Sequence, residues 1–326
     1  MTPPQGLLGP IEVGFTNVYL IDTGDGLIVI DTGSNYDGTW DEFKTGLAAF
    51  GFAPPDIMAL LLTHSHGDHA GLTGHIRAHS EAKVYLHPAE PLFPTEKDWE
   101  NSRSHSLRLM WQHGVPEGRL EEYQTYIRSV WSRRGEWVPP LLAPDYSPAD
   151  GERLPFGSVN IQAIHCPGHT PGSMVFYAED SGVLFTGDHV LLKTITNPII
   201  EFLNGTYECR TRSLPDYVNS LKKIAALPGR QVCPGHGPEF EDFSGRISAI
   251  LSYHVRKAGR VGQLLAAGPQ TAYGILDRMY PHLRTPHLWR GMCEVIGHLD
   301  LLEDEGKVSW SEKESVFVYE PLVSGG

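Results

Sequence analysis

The chain has 326 residues, 40% of them hydrophobic and 20% charged, enough for one large core and a smaller domain. Its formal net charge of −13 repels polyanions, because non-specific nucleic-acid binding depends on Lys and Arg neutralising phosphates. No run approaches the roughly 18 apolar residues of a membrane span. The N-terminal stretch also lacks the charged and apolar regions of a secretory signal, so a cytoplasmic protein without membrane attachment is expected.

In chain order, Thr16–Asp22 and Gly26–Asp31 are β-runs joined by Thr23-Gly24-Asp25, a hairpin signal. A helix is expected over Trp40–Gly51. Ile57–Leu62 follows a Pro-Pro-Asp turn and reads as a buried strand that stops where Thr63-His64-Ser65-His66-Gly67-Asp68-His69 begins. In extended chain His64 and His66 point the same way, and Asp68 follows on that side, with Gly67 allowing a tight turn between the pairs. Ala70–His79 reads as the next helix and Lys83–Leu86 as a further strand. His87 reads as a strand-end histidine bonded to backbone rather than as a ligand.

Residues 94–140 break the alternation of strand and helix. Leu107, Met110 and Trp111 fall at helical spacing, and Leu120, Tyr123 and Ile127 continue it, so a helical insertion with an aromatic inner face is expected. Trp99, Trp111, Trp131 and Trp137 all lie in it. A lid with Trp111 in the wall of an apolar substrate pocket and a helix pair simply buried on the domain both satisfy this pattern.

Further on, Val159–Ile164 runs into His165-Cys166-Pro167-Gly168-His169, Gly182–Phe185 into Thr186-Gly187-Asp188, and Gln231-Val232 into Cys233-Pro234-Gly235-His236. Each β-run stops at a glycine-containing turn that carries a ligand-type residue, the position from which a sheet presents groups to a common edge. The stretch Leu191–Glu201 follows Asp188 and offers Lys193 and Asn197 as substrate contacts. The four cysteines form no CxxC pair, and Cys166 and Cys233 read as small buried residues at strand ends.

Three imidazoles and a carboxylate packed into six positions point to a metal site, and the absence of Cys from the cluster favours an open catalytic centre over a closed structural zinc knot. The order His64, His66, Asp68, His69, then His169, Asp188 and His236, with Asp31 in Ile30-Asp31-Thr32-Gly33, resembles the metallo-β-lactamase superfamily over roughly residues 11–240. The resemblance implies an α/β fold, a four-layer αββα sandwich with the site at one edge of its two sheets. It implies that His64, His66 and His169 hold one divalent ion while Asp68, His69 and His236 hold another. Asp188 would bridge both ions, and Asp31 would orient the loop behind them. Zinc comes first for these donors, with manganese or iron also compatible. Asp188 stands where the clinical β-lactamases of the superfamily carry Cys, so the ligand set is similar to that of the glyoxalase II-like branch. His66 is intact where the di-iron oxygen-binding members carry Glu.

Beyond residue 245, helices are expected over 245–267, 271–280 and 287–305, followed by a closing hairpin of Lys307–Trp310 and Val316–Tyr319. This tail resembles the winged-helix tail of some hydrolases of the same superfamily. The expected domains are therefore a catalytic domain over 1–245, with its insertion at 94–140, and a winged-helix-like domain over 246–326. From Arg256 onward eight basic residues face nine acidic ones, so the tail reads as a packing or dimerisation module rather than a nucleic-acid reader, leaving room for a homodimer. The reaction expected is hydrolysis of a small-molecule acyl substrate, a carboxylic ester, thioester or lactone. A hydroxide shared by the two ions would attack, and Asp68 would orient it and pass on its proton. The alternatives are an endoribonuclease or phosphodiesterase of the same superfamily and a mononuclear iron persulfide dioxygenase.

Overall fold

The computed structural model describes residues 6–92, 96–131, 144–196, 198–203 and 206–322. They fall into two compact units, Met1–Leu92 with Pro139–Thr196 and Asn219–Ser248, and Phe93–Val138 with Asn197–Val218 and Ala249–Gly326.

The first unit is built on two five-stranded sheets. One has the order β1-β2-β3-β4-β5, from β1 (Leu7–Val13), β2 (Thr16–Asp22), β3 (Leu27–Ile30), β4 (Ile57–Leu61) and β5 (Lys83–Tyr85). The other has the order β10-β9-β8-β7-β6, from β6 (Arg153–Phe156), β7 (Val159–His165), β8 (Met174–Ala178), β9 (Val183–Gly187) and β10 (Gln231–Pro234). Side chains alternate across each strand with a period of two. Tyr19, Ile21, Ile28 and Ile30 of the first sheet therefore meet Ile161, Ala163, Phe176 and Phe185 of the second in one buried layer. Fully burying each such aromatic or branched side chain stabilises by about 1.5–3 kcal/mol. The intervening residues Val18, Leu20, Leu27 and Val29 turn outward to a second layer shared with Phe43 and Leu47 of α1 (Thr39–Ala49) and Ile76. The outer side of the second sheet is equally dry, with Leu184 and Val232 fully buried.

Strand direction decides where loops gather. β3 and β4 are parallel, as are β9 and β10, while β7 and β9 are each antiparallel to β8 and so run the same way. The C-terminal ends of β7, β9 and β10 therefore open on one edge of their sheet, as those of β3 and β4 do on theirs. These are the ends that carry Asp31, the His64–His69 loop, His169, Asp188 and His236. β1, β6 and β8 had no counterpart in the sequence reading, because Gly9-Pro10 and Pro155 interrupt two of them and the third follows directly on a turn.

The expected helix over Ala70–His79 is corrected. It is two helices, α2 (Gly67–Ala70) and α3 (Thr73–His79). A Cβ on Gly71 would meet Gly67 O at 2.4 Å and Asn35 N at 2.6 Å, so the chain packs against its neighbours there too tightly for any side chain. Gly67 itself is not a tight-turn glycine. It is the first residue of α2 and is absent from the positive-φ residues, so Asp68 and His69 project from a helical turn rather than an extended loop.

The second unit has its own core, drawn from α4 (Glu96–Gln112), α5 (Glu117–Trp131), the 199–202 segment, and the helices that follow α6 (Ser213–Ile224). These are α7 (Phe243–Leu265), α8 (Ala272–Met279) and α9 (Leu288–Asp304), closed by the hairpin of β11 (Val308–Lys313) and β12 (Val316–Pro321). Leu109, Met110 and Val115 pack with Leu276, Met292 and Ile296, so the insertion and the C-terminal helices share one hydrophobic interior. Met110 is buried as expected, but Trp111, also expected on the inner face, is 45% exposed, and Leu109 takes the buried side of α4 in its place. Trp137 and Asn197 lie outside the described residues. No helix among the described residues is long and apolar enough to cross a membrane.

Three histidines of this unit are held neutral. Burial pushes His113 down to about 3, with Arg210 adding to it, and burial with His298 and Lys257 does the same to His254. His298 is lowered chiefly by burial. Such residues regain protons near pH 6.5 only when the chain unfolds, so their effect is absent above that pH and erodes stability as pH falls from about 6.5 toward 3. For His113 the slope approaches about 1.4 kcal/mol per pH unit at most. Thermal unfolding in chelator at pH 7.5 and pH 5 is expected to show a clear drop in Tm that His113→Phe reduces. Equal pH dependence in parent and variant would contradict this account.

Candidate metal centre

β4 ends at Leu61, and its continuation places Thr63 and His64 at the sheet edge, both buried. His64 Nε2 and His66 Nδ1 face one another at 3.0 Å, and His169 Nε2 lies 3.1 Å from the same His66 atom. On the other side His69 Nε2 and His236 Nε2 are 3.2 Å apart, with Asp68 Oδ2 at 3.4 Å from His236 and 3.9 Å from His69. Asp188 stands between the two groups. Its Oδ2 is 3.6 Å from His169 Nε2, and its Oδ1 is 3.4 Å from both His69 Nε2 and His236 Nε2. All seven side chains singled out in the sequence are thus brought together.

Behind these atoms a polar layer fixes which nitrogen of His64, His69 and His236 faces inward. Asp31 Oδ2 lies 2.8 Å from His69 Nδ1, and its two oxygens accept from the Thr63 hydroxyl at 3.0 and 2.8 Å, while Oδ1 also accepts from Thr63 N–H. Thr63 Oγ1, having given its proton to Asp31, is 3.0 Å from His64 Nδ1 and serves as its acceptor. With Nδ1 held by these partners in both rings, Nε2 is the nitrogen that His64 and His69 turn into the site. The Phe15 carbonyl does the same for His236, accepting from Nδ1 at 2.7 Å. Asp31 adopts φ 60, a left-handed backbone that Asp tolerates better than most residues.

The charges of the cluster follow from burial and from each other. Burial holds His64 far below the usual imidazole range, with His69, His66 and His169 adding to it, and pushes His169 down to about 3. Both are neutral donors at pH 7. Burial alone would lower His69, but the carboxylates of Asp188 and Asp31 outweigh it and hold its proton well above the normal range. Asp188 and Asp68 both stay ionised: burial disfavours their charge, and the surrounding histidines overcome it.

Does this arrangement fit divalent cations? Ligands about 2.0–2.2 Å from a tetrahedral ion stand roughly 3.3–3.6 Å apart, close to the separations above. Asp188 Oδ1 is buried and, among the described residues, accepts no well-aligned hydrogen bond, although two imidazole nitrogens flank it at 3.4 Å. Lone pairs converging on one point, with an acceptor left unused among them, are what a bound cation would complete. Three groups could each hold an ion: His64 with His66 and His169, His64 with His69 and Asp188, and Asp68 with His69 and His236.

Residues 11–236 match the family model of the metallo-beta-lactamase superfamily. The chain belongs to that superfamily. It is similar to the probable metallo-hydrolase YqjP of Bacillus subtilis, at 28% identity over 320 residues covering 94% of each protein. A metallo-beta-lactamase family protein from Thermus thermophilus superposes with a TM-score of 0.76 at 27% identity, over 97% of this chain and 99% of that one. The atrochrysone carboxyl ACP thioesterase dmxR1 of a Cryptosporiopsis species is 24% identical over 253 residues, 78% of this chain and 58% of that protein.

Not every side chain named from the sequence joins the cluster. Lys193 is exposed, and among the described residues no hydrogen bond or ion pair connects it to the histidines. His87 stacks on His165 with ring centroids 3.8 Å apart and accepts the Ala89 N–H, and burial with His165 lowers it to about 4. Cys166 and Cys233 are fully buried, and burial raises both thiols, Cys166 to about 12. Thr63 and Glu90 had no role in the sequence reading, because Thr is not a metal-ligand type and Glu90 stands alone in Pro-Ala-Glu-Pro, away from the strand-end clusters.

For a metallo-beta-lactamase superfamily member with this layer, Asp31→Asn is the informative change, since Asn also tolerates φ 60 while the charge facing His69 is lost. Removing such a support typically costs about 10–100-fold in metal affinity. Zinc titration against a chromophoric chelator is expected to show that loss, and unchanged affinity would remove Asp31 from the account.

Proposed function

We propose that this metallo-hydrolase superfamily member is a dinuclear enzyme that cleaves a carboxylic ester or thioester of a small acyl substrate, with lactones as a related class. The observation that carries the reading is Asp188, one oxygen turned to each group of histidines. A carboxylate so placed could serve a cation in each group. His64, His66 and His169 would hold one, and Asp68, His69 and His236 the other. Divalent ions bound there supply Lewis acidity and a water acidified from about 15.7 toward 7.

The chain's own residues do the rest. Asp31, Thr63 and the Phe15 carbonyl hold the His69, His64 and His236 imidazoles in place, which limits reorganisation as charge develops. Asp68, with its side chain 47% exposed, is the ligand-type carboxylate open to solvent, and its ionised oxygens orient an attacking water and accept its proton. The thioester preference draws support from the relative named as an ACP thioesterase. The net charge of −13 speaks against a polyanionic substrate. The three helices and hairpin of the C-terminal part we read as a winged-helix-like packing or dimerisation module.

The test is metal analysis of the purified protein, then a panel of ester, thioester, lactone, β-lactam, phosphodiester and persulfide substrates with zinc, manganese and iron. Two ions per chain are expected, with turnover of an acyl substrate abolished by chelator. His64→Ala and His236→Ala should each lower kcat/KM at least about 100-fold. Activity lost in His64→Ala yet untouched by chelator contradicts the proposal, and full activity of His236→Ala with iron alone points to the mononuclear dioxygenase.

A further inference from the structure

We infer that Glu90 is a positioning residue for the half-site formed by His64, His66 and His169, its buried carboxylate tying the two ligand-bearing loops together at fixed spacing. The inference rests on the dinuclear reading above. Glu90 is 5% exposed, and among the described residues no Lys or Arg pairs with it. Its two oxygens are divided between the loops. Oε2 accepts the N–H of Ser65, which lies between His64 and His66, at 2.8 Å. Oε1 accepts the hydroxyl of Thr170, the residue after His169, and the N–H of Gly172 at 2.9 Å.

The contact is close by construction. A Cβ on Gly172 would meet Glu90 N at 2.6 Å and Cγ at 2.7 Å, so glycine is needed for the loop to reach the carboxylate. The same segment grips each loop elsewhere. Pro91 O accepts the Ser65 hydroxyl at 3.3 Å, and His87 stacks on His165, whose Nε2 is 2.9 Å from Pro171 O. The loops are over 100 positions apart in the chain, yet His66 Nδ1 and His169 Nε2 come within 3.1 Å.

Burying a carboxylate without a cation is costly, and two backbone N–H donors with one hydroxyl are what compensate it here. A neutral amide would not do the same work, because a glutamine has one oxygen and would turn its NH2 toward a donor on one of the two loops. The imidazole half-site also brings no negative charge of its own beyond the shared Asp188. Glu90 therefore fixes the geometry of that half, while no contact links it to Asp68, His69 or His236 among the described residues.

The test uses the full-length apoprotein titrated with Co2+, followed by visible absorption and calorimetry, with His66→Ala and His236→Ala identifying which binding step belongs to which half-site. In Glu90→Gln the step that His66→Ala removes should weaken about 10–100-fold, and the step that His236→Ala removes should keep its affinity. Thr170→Val, which keeps the carboxylate and deletes one of its donors, should weaken the same step by less, and decides the matter if Glu90→Gln does not fold. Two unchanged steps, or equal weakening of both with a lowered Tm of the apoprotein, would overturn the assignment. A parent protein that binds fewer than two Co2+ overturns the dinuclear reading and this inference with it, and is distinguishable because it needs no substitution.

Discussion

The buried carboxylate of Asp31 is the interaction on which the centre depends. Placed at the end of β3 in a left-handed backbone, it reaches the end of β4 through Thr63 and the α2 turn through His69. Three donors compensate a charge that would otherwise be expensive to bury. Through them a single residue sets the inward-facing nitrogen of His69 directly and that of His64 by way of a hydroxyl. The two halves of the cluster are thus coupled behind the ligands as well as in front, where Asp188 lies between them.

That coupling is available only because of strand direction. Pairs of parallel strands deliver their C-terminal loops to one edge of each sheet, and the layer of Tyr19, Ile30, Phe176 and Phe185 holds the two sheets face to face. Had β4 or β10 run antiparallel to its neighbour, the His64–His69 loop or His236 would have been sent to the opposite edge. Close approach then does the final positioning. A Cβ on Gly235 would meet His69 Cε1 at 2.5 Å, so the β10 loop brings His236 into the cluster across a backbone with no room for a side chain.

Much of this was legible along the chain, and for a local reason. Apolar runs of strand length ending in glycine turns mark sheet edges, and His or Asp at those ends is unusual enough to stand out, so His64, His66, Asp68, His69, His169, Asp188 and His236 could be named together. Elements without such contrast were passed over: β1 and β6 carry prolines, β8 abuts a turn, and α6 lies between stretches of loop. The periodicity of α4 gave the helix and put Met110 on its buried side, but not which flank of Met110 is covered: the neighbours from α8 and α9 bury Leu109 and leave Trp111 exposed.

The family resemblance, the two-sheet sandwich it implies and the donor residues could all be read along the chain, since the motifs behind them are a few residues long. The supports could not. Glu90, in a Pro-Ala-Glu-Pro stretch with no signal of its own, acquires meaning from Ser65 and Gly172, and the Phe15 carbonyl from His236, partners 25 to 221 positions away. Ligand types are written in residue identity, whereas the hydrogen bonds that aim them depend on which distant backbone groups the fold brings within about 3 Å.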